Sequence, residues 1–203
     1  MVVLVAPIHP FRGGIADTTA AFAQCLTQQG EEVCVITFST LYPKILFPGK
    51  NQYSSEHKEL DFITISRINT LNPFSWFQTA NQIISLKPRL VVFRYWTPWL
   101  SICYATIAKY IKVKKIAWID NALPHERKIA DKFLLNIFLG SVDEVLCMSS
   151  FVATELKKYT QKNIVTSFHP VDMDLPTPIL QKVAKKKLAL DPGLEYLLFF
   201  GLI

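Results

Sequence analysis

An apolar segment followed at once by a turn rich in proline and glycine most constrains the fold of this chain. Residues 1–6 form an unbroken apolar run, MVVLVA, which is typical of a strand covered on both faces of a parallel sheet. Pro7 and Pro10 end the strand, and Gly13 with Gly14 allows the backbone to turn tightly. Apolar and small residues then recur at helical spacing, at Ile15, Thr19, Phe22, Ala23 and Leu26. The chain therefore opens with a strand–turn–helix unit.

This alternation continues along the chain. Six further apolar runs predict strands at 33–38, 62–66, 89–94, 115–119, 144–148 and 163–168. Helices are predicted from Asn72-Pro73, up to about Ile111, over 126–139, and from a cap at Ser149 or Ser150 to about Tyr159. Alternating strands and helices predict an α/β fold, a doubly wound, Rossmann-like parallel sheet, over residues 1–170.

Polar residues gather where the predicted strands end. Because parallel strands share one carboxyl edge, the loops 9–14, 94–96, 120–126 and 149–150 are expected to meet at one rim. A glycine turn at a helix N-terminus suits an anion, and Arg12 could add a bidentate contact. His9 could act as an acid, a base or a donor. A tight turn with an exposed arginine is the alternative interpretation.

Two familiar phosphate-binding motifs are missing from this first turn. It contains neither G-x-G-x-x-G nor G-x-x-x-x-G-K-[ST], so it is not a dinucleotide fingerprint or a Walker A loop. Glu126 opens the helix predicted over 126–139. An acid there could contact a ligand at the rim, or it could only stabilise the helix through its dipole.

The charge of the chain is positive, with 22 basic and 16 acidic residues and a net charge of +6. Lys182 and the run 185–187 carry much of the excess, which favours either an anionic lipid surface or a solvated face. No interleaving of basic and aromatic residues indicates nucleic acid, which we do not expect as a partner.

A proline-punctuated apolar stretch at 41–49 predicts a loop that contacts a partner or a membrane, or folds back onto the sheet.

The four cysteines lack metal-ligand spacing. Cys25, Cys34, Cys103 and Cys147 lie in apolar segments without C-x-x-C pairs, as expected of reduced thiols in a cytoplasmic protein. Neither a metal nor a cofactor is expected.

The last part of the chain, 171–203, differs in composition. A proline-rich linker at 171–178 and a basic helix to Leu190 precede an apolar run, 195–203, typical of a buried strand. Exposing its six large apolar side chains would cost roughly 2 kcal/mol each, about 12 kcal/mol in all, which rivals the stability of a domain. We expect this strand to open a second domain that the chain lacks. The alternative is that it docks on the first sheet.

Four stretches together resemble family 4 glycosyltransferases of the GT-B fold, in their N-terminal half. They are the P-x-x-P-x-x-G-G-I of residues 7–15, the DNALPHE of 120–126, the SSFV of 149–152 and the crossover 185–201. The resemblance implies a retaining transfer of a sugar from a nucleotide-sugar donor, with the glycine loop near the donor diphosphate.

The resemblance also implies roles for individual residues. Asp120 and His125 would be catalytic. The donor diphosphate or the acceptor would be bound by His9, Arg12, Gly13, Gly14, Arg94, Asn121 and Glu126. Relatives often carry histidine at the position of Asp120, where a carboxylate can still hydrogen-bond a sugar hydroxyl.

The predicted function is sugar transfer to a polysaccharide- or lipid-linked acceptor. We expect the protein in the cytoplasm, peripheral on the inner membrane face, and residues 1–203 to be inactive alone because most donor-binding groups of the family lie beyond them. A non-catalytic, membrane-associated binding module is the alternative. A third hypothesis is that the chain is a different Rossmann-like protein that binds a nucleotide.

Overall fold

The computed structural model describes residues 1–43, 52–54, 60–124, 129–168 and 177–199. The chain divides into two compact units, Met1–Asp172 and Met173–Ile203. Strands in the described residues are β1 (Val2–Val5), β2 (Val33–Thr40), β3 (Ile63–Asn69), β4 (Leu90–Tyr95), β5 (Lys114–Ile119), β6 (Glu144–Cys147) and β7 (Ile164–Thr166). Helices are α1 (Gly14–Gln28), α2 (Pro73–Ser85), α3 (Ser101–Tyr110), α4 (Ile129–Leu139), α5 (Ser150–Leu156) and α6 (Gln181–Lys187). A 3₁₀ turn, Pro98–Leu100, precedes α3.

The first unit contains one parallel sheet of seven strands in the order β3-β2-β1-β4-β5-β6-β7. This confirms the predicted doubly wound, Rossmann-like α/β fold. The apolar run at the start of the chain forms its centre, since all four residues of β1 are buried. The strand order reverses between β1 and β4, which is the switch point where open α/β sheets bind ligands beyond their carboxyl ends.

Helices cover both faces of this sheet. On one face Phe22 of α1 packs edge-on against Trp118 of β5, with ring centroids 5.0 Å apart. On the other face α2, α3 and α4 bury a larger cluster around Tyr104, Phe93 and Phe138, with centroid separations of 5.3–6.3 Å. The residues at helical spacing in α1, including Phe22, Ala23 and Leu26, thus form the inner face of that helix, as the sequence predicts.

Some boundaries differ from the sequence-based expectation. β3 continues three residues beyond Ser66, to Asn69, because it follows β2 through irregular register shifts. α5 ends at Leu156 rather than near Tyr159. Leu41 is buried, so the start of the apolar stretch 41–49 folds back onto the sheet, and residues 44–49 lie outside the described residues.

The strand predicted over 195–203 is not formed in its described part, residues 195–199. Leu197, Leu198 and Phe199 are all exposed there. A strand needs a hydrogen-bonding neighbour, and the described part of the second unit contains no other strand. Residues 200–203 lie outside the described residues.

The second unit, where described, is organised around α6. Lys185 donates hydrogen bonds to the carbonyls of Pro192 and Leu194, at 3.0 and 2.6 Å, and lies over the ring of Tyr196. In neither unit do the described residues include a helix with both the length and the apolar character needed to cross a bilayer.

Candidate functional site

A cavity of about 200 Å³ opens at the carboxyl ends of β1, β2 and β4, next to the switch point. It is lined by residues from the loop after β1, the start of α1, the segment after β2 and the turn after β4: Pro7, Phe11, Arg12, Gly13, Gly14, Ile15, Ala16, Leu41, Tyr42, Gln52 and Trp96. Of the residues that the sequence analysis singled out, Arg12, Gly13 and Gly14 line this cavity.

The glycine pair shapes the floor of this cavity. Gly13 has φ 110° and ψ 164°, a conformation that is essentially restricted to glycine. A Cβ built on Gly13 or Gly14 would meet no atom within 4 Å, so the space above both residues is open. No side chain caps α1, whose first N–H groups have no partner within the helix. The start of α1 can therefore accept an anion.

The loop before α1 is held in place by the segment 52–54. The N–H of Arg12 donates to the carbonyl of Gln52 at 3.1 Å, and the N–H of Ser54 donates to the carbonyl of Pro10 at 2.7 Å. The ring of Phe11 is buried between Phe38 and Tyr53, with centroids 6.3 and 5.1 Å away. These contacts fix the backbone of the loop while the Arg12 side chain stays exposed.

Aromatic residues form the opposite wall. The indole N–H of Trp96 donates to the hydroxyl of Tyr42 at 3.1 Å, and that of Trp99 donates to the carbonyl of Leu41 at 3.2 Å. Burial raises the pKa of the Tyr42 phenol, although hydrogen bonds with Trp96 and Thr97 oppose the shift. Tyr42 is therefore a neutral hydroxyl at physiological pH, beside the start of α1.

Below the site, Arg94 and Asp120 form a buried ion pair. The guanidinium of Arg94 contacts both carboxylate oxygens of Asp120, at 2.8 and 2.9 Å, and its side chain is 2% exposed against 10% for the carboxylate. Its third nitrogen donates to the carbonyl of Ile15 at 2.8 Å and to the hydroxyl of Thr19 at 3.0 Å. The guanidinium also lies 4.0 Å above the ring of Trp118.

This geometry gives Arg94 a structural position. Four of the five N–H groups of an arginine are engaged inside the protein, so Arg94 joins the first turn of α1 to the end of β5 rather than facing the cavity. Asp120 holds that guanidinium in place. The sequence placed both residues at the correct edge of the sheet but gave no sign that they pair with each other.

The remaining predicted residues are dispersed. His9 is half-buried in the loop after β1 and is not among the residues that line the cavity. Asn121 is exposed on the loop after β5, also away from the lining. Ser149 caps α5 by accepting a hydrogen bond from the N–H of Phe151 at 3.2 Å. His125 and Glu126 lie outside the described residues.

Sequence reasoning missed Tyr42 and Gln52 as residues of the site. Both follow β2 in a segment without periodic pattern, and their contact with the glycine loop depends on a tertiary fold-back. The one available signal was the position of Tyr42 just after a predicted strand, at the edge where ligands bind.

Comparison with known proteins adds information on the fold. No family model matches the chain, and no curated protein matches it either. Sucrose-phosphate synthase from Thermosynechococcus elongatus superposes on it with a TM-score of 0.61 at 14% identity, over 94% of this chain and 52% of that one. The chain thus spans about half the length of that structure.

Two further structures superpose more loosely. Another structure of the same enzyme gives a TM-score of 0.49 at 10% identity, covering 86% of this chain and 90% of that chain. A doubly substituted Os79 from O. sativa, in complex with UDP, gives 0.47 at 12% identity, covering 93% of this chain and 58% of that chain.

The sheet and the superposition on sucrose-phosphate synthase define the fold of the chain. It has a Rossmann-like fold of the kind found in GT-B glycosyltransferases. At 14% identity the likeness establishes this fold and leaves the reaction to be inferred from the site.

Proposed function

We propose that this chain is the acceptor-side domain of a glycosyltransferase that moves a sugar from a nucleotide-sugar donor to a polysaccharide- or lipid-linked acceptor. The open start of α1, with Gly13, Gly14 and the exposed Arg12 in one cavity, is the observation that carries the proposal. In such a transfer negative charge develops on the departing diphosphate, and fixed N–H donors together with a guanidinium stabilise it.

The size of the cavity limits what it would hold. At about 200 Å³ it is smaller than the roughly 300–1,000 Å³ of pockets that enclose drug-sized ligands. It fits a diphosphate or one sugar ring better than a whole nucleotide-sugar. We therefore propose that the nucleotide is bound mainly by a second domain, of which residues 171–203 would form a part.

The finer features remain part of this proposal. Membership of family 4, retention of anomeric configuration and independence of metal or cofactor rest on the resemblance of four sequence stretches. We assign Asp120 a positioning role, because it acts through Arg94 on the first turn of α1. His125 stays the proposed catalytic residue, with His9, Asn121 and Glu126 as proposed contacts of donor or acceptor. The proposed location is cytoplasmic, on the inner membrane face.

The proposal is tested with protein expressed from the complete reading frame that contains residues 1–203. Release of nucleoside diphosphate is measured with UDP-, GDP- and ADP-sugars and a membrane extract as acceptor. We expect turnover with at least one donor, and none from residues 1–203 alone. Transfer of sugar by residues 1–203 would contradict the assignment of the donor site to a second domain.

Gly14→Ala is the variant that connects turnover with the site. Its Cβ meets no protein atom, so the fold should be retained while the methyl group projects into the space proposed for the diphosphate. We expect kcat/KM to fall about tenfold or more, equivalent to about 1.4 kcal/mol. Gln24→Ala, at an exposed position of α1, is the matched control and should leave kcat/KM unchanged. Equal turnover for both variants would show that the glycine loop does not contribute to the reaction.

No turnover with any donor would refute sugar transfer. A protein without turnover that still binds lipid vesicles would instead fit the alternative, a non-catalytic membrane-associated binding module.

A further inference from the structure

The charges of the first unit are distributed unevenly along the sequence. From Phe62 to Ile119 the chain contains no aspartate or glutamate over 58 residues. This acid-free segment supplies β3, α2, β4, α3 and β5. Its eight basic residues are Arg67, Lys87, Arg89, Arg94, Lys109, Lys112, Lys114 and Lys115.

Four of these cations are paired with acids from other parts of the chain. Arg89 pairs with Glu31, Lys114 with Glu144, Lys115 with Asp143, and Arg94 with the buried Asp120. Lys87, Lys109 and Lys112 are exposed at the ends of α2 and α3, and none of them has an acidic partner among the described residues.

The same two helices expose large apolar side chains. Phe74 and Ile84 of α2 are 77% and 49% exposed, and Tyr110 of α3 is 55% exposed. Phe77, at 38%, joins the two helices through an edge-on contact with Tyr110 at 5.0 Å. Phe74, Phe77 and Ile84 lie three and seven residues apart, on one side of α2. The surface of these four apolar residues with Lys87, Lys109 and Lys112 is called the α2–α3 face.

An apolar groove of about 330 Å³ lies at one end of this face. Ile84 and Tyr110 line it, and Lys87 and Lys112 are the two cations in its lining. The residues before β4 and β5 complete it, so it lies at the amino edge of the sheet, opposite the candidate functional site.

We propose that the α2–α3 face binds the surface of an anionic lipid bilayer. Aromatic and aliphatic side chains beside lysines are the composition of helices that lie in a membrane interface. Each lysine near such a surface is attracted by anionic headgroups, and no carboxylate of the acid-free segment opposes that attraction. An exposed apolar patch of this kind indicates a binding surface.

The cations also distinguish lipid from other occupants. All three unpaired cations on the face are lysines, which are depleted in protein–protein interfaces, where arginine is enriched. Nucleic acid would be contacted through phosphates by cations along a groove, whereas here large apolar side chains lie beside the lysines. A lipid surface accommodates both the apolar side chains and the hydrated lysines.

The inference extends the proposed function, on which its biological sense depends. α2 starts at the carboxyl edge of the sheet, near the candidate site, and is about 20 Å long. A bilayer against the α2–α3 face would lie alongside the rim of that site. Acceptors linked to lipid would then reach the site from the membrane.

The test is flotation of the full 203-residue chain with vesicles of phosphatidylcholine alone and of phosphatidylcholine with 30% phosphatidylglycerol. We expect binding to the anionic vesicles alone, weakened at 0.5 M salt. Lys109→Glu with Lys112→Glu should reduce the partition coefficient about tenfold or more. Phe74→Ser with Tyr110→Ser should do the same by removing two of the four apolar side chains of the face.

Matched controls lie on elements other than α2 and α3. Phe151→Ser changes an exposed aromatic residue of α5, and Lys157→Glu changes the exposed lysine that follows this helix. α5 packs on β6 and β7. Lys186→Glu with Lys187→Glu tests the basic helix α6. These variants should bind as the unmodified chain does. Circular dichroism verifies that every variant folds.

The outcomes separate the possibilities. Absence of binding to anionic vesicles overturns the inference, as does binding that depends on α5 or α6 and not on the α2–α3 face. Conversion of a dimer to a monomer by Phe74→Ser with Tyr110→Ser would assign the face to a second copy of the chain. Vesicle binding is measured without any sugar donor, so the two proposals are tested independently. The chain can lack vesicle binding while sugar transfer is observed, or bind vesicles while sugar transfer is absent.

Discussion

Arg94 illustrates how one residue can look like a ligand-binding group in the sequence and act as a structural one. It is the last residue but one of β4, at the carboxyl edge of the sheet, which is where a phosphate-binding arginine would lie. The structure instead surrounds its guanidinium with Asp120, Ile15, Thr19 and the ring of Trp118. Pairing between residues 26 positions apart depends on strand adjacency in space, which residue types alone do not specify.

A double-mutant cycle tests this pair. Asp120→Ala leaves a buried guanidinium without its counter-ion, and we expect the free energy of unfolding to fall by about 3–5 kcal/mol. Arg94→Met added to Asp120→Ala should restore part of that loss, because an apolar side chain then replaces the unpaired charge. Urea unfolding measures both changes.

The exposed pair Arg89–Glu31 provides the control for this cycle. The side chains of Arg89 and Glu31 are 59% and 33% exposed, so removal of the pair should cost no more than about 1 kcal/mol. Additive losses from the two substitutions at Arg94 and Asp120 would mean that the pair is not coupled.

Gly13 and Gly14 should respond differently to the same substitution. Alanine at Gly13 would be forced into a backbone conformation that costs on the order of 1–3 kcal/mol, although its Cβ meets no atom. Alanine at Gly14 should stay within about 1 kcal/mol of the unmodified protein. Thermal or urea unfolding of both variants gives the comparison, and equal stabilities would contradict the strained backbone at Gly13.

At the scale of elements, the starts of the helices at the ligand edge differ. Asn72 caps α2 through a bond from the N–H of Phe74 at 3.0 Å, and Ser149 caps α5. α1 begins at Gly14, after the N-cap residue Gly13, and neither α1 nor α3 has a side-chain cap. A side-chain cap would occupy N–H groups that an anion needs, and of these two uncapped helices α1 is the one whose first turn lines the candidate cavity.

Removing a cap should therefore affect stability without affecting turnover. Ser149→Ala should lower the free energy of unfolding by about 1 kcal/mol and leave the rate of nucleoside diphosphate release unchanged. Ser150→Ala, one residue later within the helix, is the control and should have little effect on either quantity. A loss of turnover in Ser149→Ala at unchanged stability would place Ser149 in the reaction.

The sequence predicted the elements well because β1, at the centre of the sheet, is a continuous apolar run and most of the other strands contain a shorter one. Periodicity and turn residues identified every strand of the sheet, and parallel topology then fixed which loops share an edge. The cavity wall from Tyr42 and Gln52 could not be predicted, since it arises where a non-periodic segment folds back over Phe11. The apolar run at 195–199 shows the reverse error, a predicted strand that the structure does not form. An apolar pattern specifies a strand only where a neighbouring strand can pair with it.

For the molecule as a whole, the buried thiols and phenols determine how stability depends on alkaline pH. Burial raises the pKa of Cys34 to about 11, and it also raises the pKa values of Cys103, Tyr95 and Tyr104 above their usual range. Groups whose pKa is higher in the folded state favour folding while protonated. Their contribution is complete below the unfolded pKa of about 9 for a thiol and is lost as pH rises above it.

We therefore expect the free energy of unfolding to be level from pH 7 to 8 and to fall above pH 9. One fully buried thiol contributes a slope of about 1.4 kcal/mol per pH unit between its unfolded and folded pKa values. Lys162 acts in the opposite sense, because burial lowers its pKa, but it is one group against several. Cys34→Ala should flatten the decline between pH 9 and 10.5, whereas Cys25→Ala, at an exposed position, should leave it unchanged. Urea unfolding at half-unit pH intervals measures the curves, and a stability that rises above pH 9 would show that these groups are not protonated within the folded core.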